Sequence, residues 1–148
     1  MKIRIGLAWM KGTQLAKAFK AKGGQELMAD YLKRLKAFAP CDVTAFPKEK
    51  SAGTCVWLCD RERASKQISS EQLAVRIQDM LNSGTREWHI LIGGPDGFST
   101  EQITALRPDF IWGFGPMTLP HELAAVVAAE QVYRAFTILH KHPYHSGH

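Results

Sequence analysis

The residue types best suited to chemistry are concentrated near the end of the chain. Tyr133 and Arg134 precede the segment HKHPYH, which spans residues 140–145. An aromatic ring can stack on a nucleobase, a guanidinium can pair with a phosphate, and an imidazole can accept or release a proton near neutral pH. This part of the chain is therefore a candidate site for holding a base and moving a proton.

The histidines of the same segment allow a second interpretation. His140, His142 and His145 could together ligate zinc, which commonly takes imidazole ligands. No cysteine and no acidic motif lies near them in the sequence, so we favour the interpretation without a metal. His148 is interpreted only as a terminal residue.

Two glycine-containing segments each follow an apolar run. They are GGPDG at residues 93–97 and GFGPMT at residues 113–118. Glycines let the backbone approach a ligand closely, and ligands of open α/β sheets bind at the carboxyl ends of the strands. GGPDG is not a Walker loop and lacks the G-x-G-x-x-G spacing of a dinucleotide fold. Together they predict a ligand site, with tight structural turns as the alternative.

The side chains of the second segment indicate a class of ligand. Phe114 and Met117 are apolar, and the segment has no Lys or Arg to meet a triphosphate. An uncharged adenine and a sulfur-bearing tail would suit it better. The alternative is that both side chains only pack in the core.

The elements that must position these residues alternate between short apolar runs and longer amphipathic ones. This order predicts an α/β fold with a mostly parallel sheet flanked by helices. Ser69 with Gln72, and Ser99 with Gln102, each fit a capping box that opens a helix. The predicted strands are residues 3–9, 43–46, 55–59, 88–92 and 110–114, and the first helix covers residues 27–38 behind a loop at Gly23 and Gly24.

The last predicted helix, from about Leu119 to His140, is apolar nearly all the way round. Thr118 is its expected N-cap, because Pro120 then falls in the first turn, where a missing N–H costs nothing. A helix covered by its own sheet on one face needs a partner for the other, and a symmetric second copy is the usual one. We therefore predict a homodimer.

Positive charge is concentrated in the first third of the chain. Residues 1–50 hold eleven Lys or Arg against four acids, whereas residues 51–148 hold eight against ten. Such a basic region would attract phosphates, and a solubilising surface is an equal alternative. Its exposed candidates are Lys11, Lys17, Lys20, Lys22, Lys33, Arg34 and Lys36.

The overall composition indicates one ordinary domain over residues 1–148. The chain is 45% hydrophobic and 22% charged, which suits a compact fold. No apolar stretch approaches the roughly 20 residues of a membrane span, and the start lacks the features of a signal peptide, so we expect a cytoplasmic protein without a membrane partner. The odd number of cysteines predicts buried free thiols at Cys41, Cys55 and Cys59.

Taken together, the motifs resemble a known family. GGPDG, PMTLPHELA, EQVYRAFTI and HPYH at these spacings are similar to the ribosomal RNA large subunit methyltransferase H family, part of the SPOUT superfamily. The resemblance covers the chain from the first strand to the tail and is most specific over residues 90–145. It implies a C-terminal trefoil knot, a homodimer and the cofactor S-adenosylmethionine. It also implies methylation of N3 of a pseudouridine in large-subunit rRNA, on the assembled ribosome.

The resemblance carries functional residues onto matching positions. Arg134, Tyr144 and His145 are expected beside the target nucleotide. We assign Arg134 to stabilise a phosphate or anion, Tyr144 to stack on the base and His145 to accept the N3 proton. The implied cofactor residues are Leu58, Cys59, Gly94, Gly115, Pro116, Met117, Thr118, Leu119 and Pro120.

Three features depart from the pattern of this family. WGFGP at residues 112–116 replaces a Leu-Ser-Leu-Ser run, and Ala125 stands where an arginine is common. The segment between Phe46 and Cys55 is too short for the usual crossover helix. We expect the second strand to connect differently or to lie at an edge of the sheet.

Two other functions are consistent with the residues. One is a non-catalytic ribosome-binding or RNA-binding module with a vestigial cofactor pocket. The other is a nucleotide-binding metabolic enzyme that uses the same glycine loops. The first predicts no binding of S-adenosylmethionine, and the second predicts no affinity for RNA.

Overall fold

A five-stranded parallel sheet organises the computed structural model, which describes residues 1–146. The strands are β1 (Lys2–Leu7), β2 (Cys41–Thr44), β3 (Thr54–Cys59), β4 (Glu87–Ile92) and β5 (Phe110–Trp112). Their order is β2-β1-β4-β3-β5, and every neighbouring pair is parallel. The predicted parallel sheet is confirmed, with β2 at an edge and β3 inside. β1 and β5 each end two residues earlier than predicted.

Helices lie on both faces of this sheet, with more of them on one face than on the other. They are α1 (Lys22–Leu35), α2 (Ser70–Asn82), α3 (Thr100–Leu106) and α4 (His121–Leu139), with short 3-10 turns at Leu15–Ala18 and Pro143–His145. Both predicted capping boxes are present, because Ser69 and Ser99 accept N–H bonds from Gln72 and Gln102, whose side chains return to the caps. The larger core joins one sheet face to α1, α2 and α4, and a smaller core lies on the other face with α3.

The start of α1 differs from the prediction. Gly23 and Gly24 lie in its first turn instead of in a preceding loop. Burial of Met28, Leu32 and Leu35 stabilises the helix enough to include two poor helix formers.

The last helix also differs from the prediction in two respects. Pro120 is the N-cap, and not Thr118, because Pro120 has an extended ψ of 143° and the helix begins at His121. The helix packs between α1 and α2 and touches β1 and β4. Most of its apolar circumference is therefore covered within one chain, with Leu123 left exposed near its start.

A short loop replaces a crossover helix between β2 and β3. Because β1 and β4 lie between these strands, residues 45–53 must cross about three strand spacings, roughly 14 Å. Since β2 and β3 are parallel, the loop must also return about four residues along the strands, roughly 13 Å, and nine extended residues reach about 30 Å. Phe46 stacks on Phe98 with ring centroids 5.6 Å apart. It also lies over Gly6, where an added Cβ would be 3.3 Å from Phe46 and 2.5 Å from Leu91. One aromatic side chain thus covers this part of the sheet.

None of the helices within residues 1–146 has the length and apolar character that a membrane crossing needs.

Candidate functional site

Three loops at the carboxyl ends of β3, β4 and β5 surround a cleft of about 550 Å³. We call them the acidic-basic loop (residues 60–64), the first glycine loop (residues 93–97) and the second glycine loop (residues 113–118). This volume is within the range of small-molecule sites, roughly 300–1,000 Å³. The start of α4 closes the cleft with His121 and Ala124.

Most of the residues expected to bind a cofactor line this cleft. They are Cys59, Gly94, Met117, Thr118, Leu119 and Pro120. Leu58 does not, because side chains alternate along a strand and Leu58 packs with Val56 and Leu91 on the opposite sheet face. Gly115 lines a neighbouring cavity of about 310 Å³, and the carbonyl of Pro116 accepts a hydrogen bond from Arg61.

The first glycine loop is both a tight turn and a wall of the cleft. The N–H of Gly97 donates to the carbonyl of Gly94 over 3.0 Å, and Gly97 has a left-handed φ of 70°. A Cβ on Gly93 would lie 3.0 Å from Phe98 and 3.3 Å from the Cα of Gly97. GGPDG can therefore be a tight structural turn and part of a ligand site at the same time.

The second glycine loop packs against the acidic-basic loop. A Cβ on Gly113 would lie 2.9 Å from the Cβ of Ala64, and the N–H of Asp60 donates to the carbonyl of Trp112 over 3.0 Å. Phe114 packs edge-on against Trp112, whereas Met117 is 75% exposed at the cleft. Core packing thus accounts for Phe114 but not for Met117.

Sequence reasoning missed the acidic-basic loop, although a signal was available. Asp60, Arg61, Glu62 and Arg63 place four charges directly after an apolar strand, at the sheet edge where ligands bind. Cys59 precedes them. Burial, followed by the charge of Asp60, raises the pKa of the Cys59 thiol, so it meets the cleft as a neutral group.

Arg134, Tyr144 and His145 come together near the other end of α4. Arg134 Nη1 lies 3.0 Å from His145 Nδ1, and the guanidinium carbon lies 5.0 Å from the centroid of the Tyr144 ring. We call these three residues the tail cluster. The structure thus brings together the residues that the sequence predicted as catalytic.

Two carboxylates that the sequence analysis missed hold the tail cluster. Glu130 Oε1 accepts from Arg134 Nη2 at 2.7 Å, from Arg134 Nε at 2.9 Å and from the Tyr144 hydroxyl at 3.1 Å. Glu71 Oε1 lies 2.7 Å from His145 Nε2. Burial, a hydrogen bond with Tyr31 and the charge of Glu130 raise the pKa of Tyr144. Tyr144 is therefore a neutral phenol near pH 7.

These contacts select one tautomer of His145. A guanidinium N–H can only donate, so Nδ1 is the acceptor and Nε2 carries the proton that it donates to Glu71. That hydrogen bond is also the main reason why the pKa of Glu71 is lowered.

The histidines of the tail do not gather as a metal site. His140 Nδ1 donates to the carbonyl of Phe136 over 2.9 Å, and His142 Nδ1 accepts from the N–H of Tyr144 over 3.1 Å. In the described part of the chain, no three His, Cys, Asp or Glu side chains are grouped to hold a metal. His148 lies outside the described residues.

The tail cluster is separated from the cleft along α4. Ala124 is the last helix residue that lines the cleft, and Arg134 follows ten residues later, about 15 Å along the helix axis. No member of the cluster lines the cleft or the neighbouring cavity.

A family model described as "Predicted SPOUT methyltransferase" matches residues 48–145. Ribosomal RNA large subunit methyltransferase H of Koribacter versatilis (strain Ellin345) is 33% identical over 156 residues, which cover 100% of both chains. This chain belongs to the SPOUT methyltransferase family. The resemblance noted in the sequence is confirmed, and methyltransferase and S-adenosylmethionine are the enzyme class and cofactor of that family.

Other relatives align over shorter regions. Ribosomal RNA large subunit methyltransferase H of Stenotrophomonas maltophilia (strain R551-3) is 51% identical over 80 residues, 54% of this chain and 49% of that protein. The chain thus spans about half the length of this relative in the alignment. Protein Lpg2936 of Legionella pneumophila, solved with the bound cofactor SAM, has 18% identity and a TM-score of 0.42, covering 92% of this chain and 66% of its own. That likeness is too low to support a conclusion.

This SPOUT family member has Ala125 where an arginine is common in the methyltransferase H family, and the structure explains the alanine. Ala125 is fully buried, in the packed face of α4. An arginine at this position would not fit without a rearrangement of the core, so the alanine matches its surroundings here.

Proposed function

We propose that this chain uses S-adenosylmethionine to methylate N3 of a pseudouridine in large-subunit rRNA, on the assembled ribosome in the cytoplasm. The observation that carries the proposal is the cleft at the carboxyl edge of the sheet, which gathers six residues expected from the family motif. The names of the similar proteins support rRNA as the substrate.

The cleft fits the chemistry of this cofactor. It offers backbone groups of two glycine loops, apolar surface at Leu119 and Met117, and both signs of charge in the acidic-basic loop. When bound, the cofactor supplies an activated methyl group. The chain must then align N3 of the base with that methyl group and remove the N3 proton.

The tail cluster supplies groups for these tasks. The neutral ring of Tyr144 would stack on the base, and Arg134 would stabilise the phosphate or the developing anion. His145 can accept a proton only at Nδ1, where Arg134 now donates. We therefore propose that Arg134 turns toward the RNA phosphate and thereby frees Nδ1 as the proton acceptor.

The separation between cleft and tail cluster supports a homodimer. A group that stacks on the base or takes its N3 proton must lie within a few ångströms of the reacting atoms, whereas the cluster lies about 15 Å away along the helix axis. We propose that the tail cluster of one protomer completes the cleft of its partner. Met117 and Leu123, 75% and 45% exposed near the cleft, offer apolar surface for that interface.

The remaining features of the proposal follow the resemblance. We propose one domain over residues 1–148, with α4 passing through a loop to form a trefoil knot. The basic region would bind RNA phosphates through its seven candidate side chains, each of which is exposed. They are Lys11, Lys17, Lys20, Lys22, Lys33, Arg34 and Lys36.

Mass spectrometry of rRNA from cells that lack this protein tests the proposal. We expect one methylated pseudouridine to revert to pseudouridine, and the wild-type gene to restore the methyl group. A gene with Arg134→Ala should fail to restore it while producing folded protein. An unchanged methylation map would contradict the proposal, and calorimetry that detects no S-adenosylmethionine binding would favour an RNA-binding module.

A further inference from the structure

One arginine of the cleft is held only weakly by the protein. Arg61 Nη1 donates to the carbonyl of Pro116 over 3.3 Å, and Nη2 lies 3.9 Å from Glu62, whose side chain is 79% exposed. An exposed pair at this separation contributes little to stability. A guanidinium has five N–H donors, so most donors of Arg61 are available to a ligand.

The other arginine of the loop is engaged within the protein. Arg63 Nη1 donates to Asp60 Oδ2 over 2.7 Å, and the side chain of Asp60 is only 8% exposed. Asp60 Oδ1 also accepts the backbone N–H groups of Glu62 and Arg63, at 3.1 and 3.3 Å. The positive charge of Arg63 is therefore balanced by the carboxylate of Asp60 within the same loop.

The charges around the cleft indicate which ligand it accepts. Asp60, Glu62 and Asp96 carry three negative charges, and Arg61 and Arg63 carry two positive ones. These five side chains sum to one net negative charge, which disfavours a polyphosphate. A sulfonium joined to a zwitterionic amino-acid group carries one net positive charge and is complementary. The carboxylate of that amino-acid group still needs a positively charged side chain as its partner.

We propose that Arg61 binds the carboxylate of the cofactor's amino-acid group. This inference rests on the proposed function, because it takes the cleft as the S-adenosylmethionine site. A planar guanidinium matches a carboxylate with paired N–H donors and has further donors to spare.

Calorimetry with two ligands tests this inference without any activity measurement. S-adenosylmethionine and decarboxylated S-adenosylmethionine differ only by the carboxylate. We expect Arg61→Ala to weaken binding of the first about ten- to hundredfold and of the second less than about twofold. Arg61→Lys keeps the charge but not the paired donors, and should fall between wild type and Arg61→Ala. Circular dichroism establishes that each variant is folded.

Arg107→Asn is the control, because it removes a positive charge at an exposed position outside the cleft. We expect it to change S-adenosylmethionine affinity less than about threefold. The inference is overturned if Arg61→Ala weakens both ligands equally, or if Arg107→Asn weakens S-adenosylmethionine as much as Arg61→Ala does. If the wild-type chain binds neither ligand, the proposed function fails and the inference fails with it.

Discussion

The cleft at the carboxyl edge of the sheet and the tail cluster lie near opposite ends of α4 and are built differently. The cleft is formed by loops that the parallel strands deliver to one sheet edge, with close backbone packing at Gly93 and Gly113. The tail cluster is held by side chains, through Glu71 and Glu130. Changes at the cleft should therefore act through backbone position, whereas changes at the cluster should act through charge and hydrogen bonding.

The largest expected difference between the two regions concerns Arg134. Arg134→Ala should lower the rate of rRNA methylation at least about a hundredfold, because it removes the cation proposed to hold the RNA phosphate beside the reacting base. Affinity for S-adenosylmethionine should change less than about twofold, since Arg134 is proposed to contact the RNA and not the cofactor. Single-turnover kinetics and calorimetry measure the two effects. Arg107→Asn, at an exposed left-handed position, is the control.

Removing the carboxylate that organises the tail cluster should affect stability. Glu130→Ala leaves Arg134 without its main partner, and we expect a loss of about 2 kcal/mol in the free energy of unfolding. The melting temperature should fall by roughly 5 °C. Glu130→Gln keeps an acceptor and should lose less, and Glu49→Ala, at an exposed loop position, should change stability by less than about 0.5 kcal/mol. Equal melting temperatures for all four proteins would contradict this account.

A bulky residue at Gly113 should affect the cleft selectively. Gly113→Val would collide with Ala64 and separate the second glycine loop from the acidic-basic loop, so we expect about tenfold weaker S-adenosylmethionine binding. Combining it with Ala64→Gly removes the nearest colliding atom and should restore much of the affinity. The arrangement of these loops would be wrong if the double variant bound no better than Gly113→Val.

Stability at high pH should report on Tyr144. Its raised pKa means that the unfolded chain releases the phenol proton at a lower pH than the folded chain. This contribution to stability is fully present below the ordinary pKa of about 10 and is lost as the pH rises above it. In urea unfolding near about pH 9 and about pH 11, wild type should lose more stability than Tyr144→Phe. An equal loss would contradict the burial of this hydroxyl.

The sequence predicted the sheet and the cleft well because both depend on local patterns. Apolar runs that end in GGPDG and GFGPMT indicate strands and the edge where ligands bind, and Ser69 and Ser99 mark helix starts. Leu58 was assigned by motif alone, and strand alternation places its side chain on the other face.

The carboxylates of the tail cluster could not be predicted from local patterns. Glu71 lies 74 residues before His145, so nothing near either residue in the sequence indicates their contact. The covering of α4 likewise depends on two helices that are distant in sequence. The first turn of α1 was missed because packing of Met28 and Leu32 outweighs the low helix propensity of Gly23 and Gly24.

Mixed dimers give the most direct test of whether cleft and tail cluster meet across two protomers. Chains with Gly113→Val and chains with Arg134→Ala carry different tags and are mixed by co-expression. The doubly tagged dimers are assayed for rRNA methylation at S-adenosylmethionine concentrations well below the wild-type Kd, where a Gly113→Val site binds about a tenth as much cofactor. If each site takes its cleft from one protomer and its tail cluster from the partner, half the sites in a mixed dimer are intact. Activity should then be about half that of wild-type dimers and well above that of either parent. Mixed dimers no more active than their parents would contradict the shared site.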